Sequence, residues 1–210
     1  MEKHQKDLFA KATESGNFGT YLFFDTETTG LPSNWQAPVS DLANWPRLVQ
    51  IAWVLYKDGI EVGNSDFIIK PDGFSIPVDA SNIHGITTQR AEKEGVLLQL
   101  VLNEFQDLVA RADFLVAHNI SFDEKIIGAE FLRKNMPNSL VAKKTICTKE
   151  ISTDFCAIPS MHGRQGYKWP KLSELHLKLF GEEFIDFHNA SADVIATAKC
   201  FWEMKKRGIM

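Results

Sequence analysis

The run Thr20-Tyr21-Leu22-Phe23-Phe24, followed at once by Asp25-Thr26-Glu27, constrains this chain more than any other stretch. An unbroken aromatic and apolar run reads as a strand buried on both faces, hence central in a sheet that other layers cover. Thr29-Gly30-Leu31-Pro32 then closes it with a turn. Positions i and i+2 of a strand project from one face, so the Asp25 and Glu27 carboxylates share a side at the end of a core strand. Two such anions repel each other and resist desolvation, costs that a divalent cation offsets. Taken alone, an Asp-x-Glu equally marks a strand that has simply reached solvent.

The remaining pattern predicts what surrounds this strand. Leu48 to Tyr56 and Val62 to Lys70 are β-rich runs separated by Lys57-Asp58-Gly59, whose Asp-Gly is a hairpin signal. Pro71 to Gly85 is turn-rich. Val96 to Arg111 carries Leu97, Leu100, Val101, Phe105, Leu108 and Val109 at helical spacing, and Phe114-Leu115-Val116-Ala117 is a further buried strand. His118 to Asn135 reads as a loop and a helix with Phe122, Ile126, Ile127 and Phe131 inward and Asn119 or Ser121 as its N-cap. Residues 145 to 148 fit a fifth short strand. Leu172 to Phe180, closed by Gly181, and Ala190 to Lys206 are the final helices. Three antiparallel strands followed by alternating strands and helices predict an α/β fold with a mixed sheet. Residues 1 to 17 read as a polar helix with Leu8 and Phe9 on one side, so 1–19 is set apart as a helical appendage from a domain over 20–207.

At 44% apolar and 24% charged residues the chain excludes intrinsic disorder, and three cysteines without a C-x-x-C exclude a disulfide scaffold. They read as free thiols of a cytoplasmic protein. No run of about 18 apolar residues predicts a membrane span, and Met1 to Thr20 is too charged for a signal peptide. The net charge of −4 argues against a polyanionic partner until its distribution is considered. Between Phe131 and Lys178 nine basic residues face three acidic ones, leaving the rest of the chain strongly negative. Such a segment fits either a solvated face or a side that touches a polyanion.

Asp123 and Asp193 add two more acids, each in the first turn of an expected helix, where the helix dipole favours a carboxylate whatever its role. The strings Phe24-Asp25-Thr26-Glu27-Thr28-Thr29-Gly30-Leu31, His118-Asn119-x-x-Phe122-Asp123 and His188-x-Ala190-x-x-Asp193, in this order, resemble the three motifs of the DEDDh group of DnaQ-like 3′→5′ exonucleases. That group includes the proofreading subunit of bacterial replicative polymerases. Ile83-His84-Gly85-Ile86-Thr87 also resembles a short linker of that subunit, between the third strand and the next helix. The likeness runs over roughly residues 20 to 205, and three ordered motifs carry far more weight than any one.

The resemblance implies a ribonuclease H-like fold, a five-stranded mixed sheet flanked by helices. It implies that Asp25, Glu27, Asp123 and Asp193 hold two divalent cations, with Asp25 bridging both. Hard oxygen donors without cysteine or paired histidine favour Mg²⁺ or Mn²⁺ over Zn²⁺. Two ions about 3.5 to 4 Å apart activate a water and stabilise the leaving oxygen. His188 is the implied general base, an imidazole suited to proton transfer near neutral pH. Backbone around Thr28 is expected at the 3′-hydroxyl end, with Thr29, His118 and Phe122 bordering the terminal base and sugar. Phe122 serves equally well as a core residue of its helix.

The implied activity is hydrolysis of DNA from a free 3′ end, single-stranded or frayed, releasing nucleoside 5′-monophosphates in proofreading or repair. Two rivals stay open: an exoribonuclease of the ribonuclease T or oligoribonuclease kind, and an inactive nucleic-acid-binding module. The chain leaves no room for a polymerase-binding tail after its last helix, so a polymerase or repair partner would be held by other surfaces. Trp35 and Trp45, in the loop from Ser33 to Pro46, either pack on the domain or stack on unpaired bases. The irregular stretch from Asp154 to Trp169 is a candidate for contacts to the substrate backbone, while Cys147, Cys156, Cys200, His162 and His176 are given no function.

Overall fold

Strand β1 (Thr20–Thr28) has two apolar faces and so needs two covering layers. The computed structural model describes residues 19–160, 166–183 and 189–210, and in it β1 is the middle strand of five. Strands β2 (Leu48–Lys57) and β3 (Ile60–Ile68) follow as an antiparallel meander. Their hairpin turns at Asp58 and Gly59, both with positive φ (52° and 80°), the backbone that the Asp-Gly signal predicts. Short helices α1 (Val78–His84) and α2 (Thr88–Glu94) come next, then α3 (Leu98–Arg111), strand β4 (Phe114–Ala117) and helix α4 (Ile120–Arg133). Strand β5 (Lys144–Cys147), one-turn helices α5 (Thr148–Ile151) and α6 (Thr153–Cys156), and helices α7 (Leu172–Phe180) and α8 (Ala190–Lys206) complete the chain.

The sheet order is β3-β2-β1-β4-β5, with β4 parallel to β1 and β5 parallel to β4. The expected mixed five-stranded sheet flanked by helices is therefore present. On one face Leu22 and Phe24 pack with Phe105 of α3 and with Ile126, Ile127 and Phe131 of α4. On the other, Tyr21 and Phe23 pack under Val194, Ala198 and Phe201 of α8, the Phe23 and Phe201 rings meeting edge to face at 5.1 Å. Each fully buried phenylalanine contributes about 1.5–3 kcal/mol, so both helix layers are held firmly to β1.

Several expectations shift in detail. The stripe of α3 is Leu98, Val101, Leu102, Phe105, Leu108 and Val109, while Leu97 and Leu100 lie outside it and face solvent. The stretch before Gly85 is turn-rich only at its start, because Val78–His84 is helical and Gly85 ends it in the left-handed region (φ 74°). Ile83-His84-Gly85-Ile86-Thr87 thus spans the last residues of α1 and the turn into α2, with Ile86 buried and the Thr87 hydroxyl accepting from Arg90 N–H. Cys147, Cys156 and Cys200 are free and buried. Among the described residues no helix is long and apolar enough to cross a membrane. The N-terminal helix expected over residues 1 to 17 lies outside the described residues.

Candidate active site

The row of side chains on one face of β1 changes character along the strand. Tyr21 and Phe23 lie under α8, and the next two positions of the same row, Asp25 and Glu27, pass beneath its first turn. There Asp193 meets them, and carboxylate oxygens of Asp25, Glu27 and Asp193 lie within 4.8 Å of one another. Strand β4 pairs with β1 only from Tyr21 to Phe23, so β1 is left unpaired on that edge at Asp25. The first turn of α4 brings Asp123 to this end, buried, with Oδ1 accepting from the Thr26 hydroxyl at 2.7 Å. The sequence resemblance did not single out Thr26, yet it stands between the two acids and fixes the third.

Gln50 is a second residue that sequence reasoning missed. It lies opposite Glu27 in the β1–β2 register and is buried. Its Nε2 donates to Asp66 at 2.7 Å, which fixes the amide so that Oε1 accepts from Ala190 N–H, at the start of α8, at 3.4 Å. Asn189 caps the same helix by accepting from Ser191 N–H. These bonds set where α8 begins, and with it the position of Asp193.

Like charges crowded out of water raise their own pKa values. Burial, then the charges of Asp193 and Asp123, push Glu27 up to about 8. Burial pushes Asp123 up to about 7 against the Thr26 hydrogen bond. Asp25 is raised well above the carboxylate range by burial and then by Asp123, Asp193 and Glu27. A cluster of hard oxygen donors held this close and this reluctant to ionise fits divalent cations, which supply the missing positive charge.

The unfolded chain releases these protons near pH 4. The folded, metal-free protein keeps them until about pH 7 to 8, so between those limits the native state binds more protons than the unfolded one. Stability without metal must then fall as pH rises, by about 1.4 kcal/mol per pH unit for each retained proton, or about 3 °C in Tm for a domain of this size. Melts in EDTA at pH 6, 7 and 8 check this expectation, and a Tm that rises across the series contradicts it.

Beside the carboxylates a cleft of about 470 Å³ is lined by Thr26 to Leu31, by Pro77 and the α1 residues Asp79, Ala80, Ile83 and His84, and by Phe122. Thr28, Thr29 and Phe122 are thus brought together along one cleft. The register slips between Glu27 and Thr28, a bulge that re-aims the strand end. The Thr28 hydroxyl donates to Gly30 O at 2.6 Å, and Thr29 is clamped to Arg47 from both sides. Phe122 packs partly on the core and partly against Trp35, 5.7 Å between ring centres. Trp45 is buried in the core, its Nε1 donating to Pro38 O.

His118 is placed differently. It does not line the cleft; its Nε2–H donates to Pro170 O at 3.0 Å and its Nδ1 accepts from the Thr148 hydroxyl at 3.0 Å. Burial pushes its pKa down to about 4, against the pull of the Pro170 carbonyl. A neutral imidazole with both nitrogens engaged ties the segment before α7 to the end of β4. Asn119 precedes α4 at φ 86° but makes no side-chain cap, because its Oδ1 accepts from Lys149 Nζ. His188 lies outside the described residues, as does His162.

Comparisons with known proteins agree with this geometry. The "DNA polymerase III PolC-type" proteins of Streptococcus thermophilus and Streptococcus pneumoniae are 32% and 29% identical to this chain over 180 residues, 86% of the chain. The chain spans only 11% of the length of these polymerases. Escherichia coli exonuclease I, solved with a dT13 oligonucleotide, superposes with a TM-score of 0.71 at 23% identity, over 90% of this chain and 41% of that one. That likeness establishes the ribonuclease H-like fold. The exonuclease family model, RNase T, matches residues 22–201, and the chain accordingly belongs to the DnaQ-like exonuclease family.

Proposed function

We propose that this protein is a metal-dependent 3′→5′ exonuclease that hydrolyses DNA from a free 3′ end, single-stranded or frayed, and releases nucleoside 5′-monophosphates. The observation that carries the reading is the set of Asp25, Glu27 and Asp193, within 4.8 Å of one another and near enough to Asp123 to feel its charge, at the edge of a cleft of about 470 Å³, the size class of a small-molecule site. A cleft that takes one terminal nucleotide beside the hydrolytic centre makes an enzyme that needs chain ends.

The four carboxylates are the residues that would hold two divalent cations, Mg²⁺ or Mn²⁺. When bound, such ions activate water and stabilise the leaving 3′ oxygen. Thr26 keeps Asp123 aimed at the cluster, and Gln50 and Asn189 keep α8 in register with β1. Backbone at Thr28 and Thr29 meets the terminal sugar, and Phe122 offers a face to the base. His188 is assigned the general base on its motif position, so His188→Ala should slow turnover while leaving metal affinity nearly unchanged. His118 acts by holding the Pro170 segment rather than by touching the nucleotide. DNA is preferred as substrate because the relatives are DNA polymerases and the solved neighbour holds a DNA oligonucleotide. Removal of 3′ nucleotides suits proofreading or repair.

Digestion of matched 5′-labelled DNA and RNA oligomers with Mg²⁺, Mn²⁺ or EDTA tests this. The expected result is a ladder shrinking from the 3′ end, faster on DNA and absent in EDTA. Faster loss of RNA reassigns the substrate to ribonucleotides. Binding without cleavage under every cation overturns the enzyme and leaves a nucleic-acid-binding module.

A further inference from the structure

Trp169 is 61% exposed, an unusual state for a tryptophan whose backbone surroundings are so firmly held. Lys168 N–H donates to Ile158 O at 2.9 Å, and Lys168 Nζ bonds the Glu174 carboxylate at 2.6 Å. On the other side Pro170 is buried and its carbonyl accepts from His118. The indole is therefore presented to solvent from a fixed base. Lys149 Nζ stands 4.1 Å from the ring centre and also donates to Asn119 Oδ1, so a cation joins the ring to the residue that opens α4. Neither the core nor the site already described uses this ring.

Its place in the fold is informative. The nucleotide cleft opens at the end of β1 toward α1, whereas His118, Asn119 and Lys149 follow the ends of β4 and β5, across the carboxylates in the sheet order. A scissile phosphate at the carboxylates, with the terminal nucleotide in the cleft, sends the rest of the strand away from the cleft. Lys149 stands against the ring, and Lys168 and Lys171 flank Trp169 in the chain, so the ring has cationic neighbours. We propose, resting on the exonuclease reading, that Trp169, with Lys149 against its ring, is the stacking platform for a base of the DNA strand upstream of the scissile bond. Stacking on an aromatic face is tolerant of sequence, and a positively charged surround tracks the backbone. Because the platform is already rigid, little ordering entropy is lost when a base lands on it.

The test compares wild type, Trp169→Ala and Trp169→Phe on oligothymidylates of decreasing length. Trp169→Ala should raise KM for a ten-nucleotide oligomer about tenfold with kcat within about twofold, the defect vanishing on a dinucleotide, and Trp169→Phe should recover most of the loss. Binding is read separately from tryptophan quenching by the same oligomers with Ca²⁺ in place of Mg²⁺, where Trp169→Phe should lose part of the wild-type signal. An unchanged KM together with unchanged quenching overturns the proposal and leaves the ring for a protein partner. If wild type cleaves nothing, the exonuclease reading fails on its own, and the quenching comparison still decides whether a base stacks on Trp169.

Discussion

Asp25→Asn should abolish hydrolysis while making the metal-free protein more stable. Asparagine keeps the shape of the side chain but removes one negative charge from a group in which Asp123, Asp193 and Glu27 all disfavour its ionisation. The expected loss of activity is on the order of 10³-fold or more, since charge stabilisation at the reacting phosphate is the largest part of such catalysis. Relief of the repulsion should raise stability in EDTA by about 1–2 kcal/mol, the usual scale when a functional site gives up its strain. The gain should be larger at pH 8 than at pH 6, because the wild-type cluster is more ionised there. Single-turnover cleavage in Mg²⁺ and melts in EDTA make the two measurements. A variant both inactive and less stable would make Asp25 a structural residue.

The second large effect lies on the far side of α4. Glu130 is fully buried and accepts from Arg47 Nε at 2.9 Å, Arg133 Nη1 at 3.0 Å and Leu48 N–H at 3.1 Å. Arg133 in turn donates to Leu42 O and Trp45 O, which pins the loop from Ser33 to Pro46. Glu130→Ala leaves a backbone N–H and two guanidinium groups without their acceptor, and should cost about 3–5 kcal/mol, or roughly 10 °C in Tm. The consequence reaches the cleft, because Arg47 clamps Thr29: Arg47 N–H donates to the Thr29 hydroxyl and Thr29 N–H to Arg47 O, each at 2.9 Å. The KM for DNA should therefore rise along with the loss of stability. Urea unfolding and steady-state kinetics at a temperature where the variant is still folded separate the two effects. A cost below about 1 kcal/mol would show that the guanidiniums find other acceptors.

The sequence made some of this legible and hid the rest for physical reasons. The continuous aromatic run of β1, the Asp-Gly turn and the span of α8 depend on local pattern, and each stands where the pattern predicts it. Helices α1 and α2 escape because seven residues, each stretch ended by a glycine, give periodicity too little length. In the site, Asp25, Glu27, Asp123 and Asp193 sit at ends of elements that could be read separately. The Thr26–Asp123 bond and the Gln50 bridge to Ala190 join residues 97 and 140 positions apart, set by sheet register rather than by any local signal. The inward turn of His118 depends likewise on Pro170, 52 residues later.

The carboxylates come from β1, α4 and α8, so the cluster exists only after the stretch from Ala190 to Lys206 has docked on the sheet. A chain still being synthesised, or one shortened before Ala190, retains three of the acids and a sheet, but not the closing anion. Hydrolysis of the kind proposed therefore waits on that docking, and a copy whose helix has not closed on the sheet lacks the acid that completes the cluster.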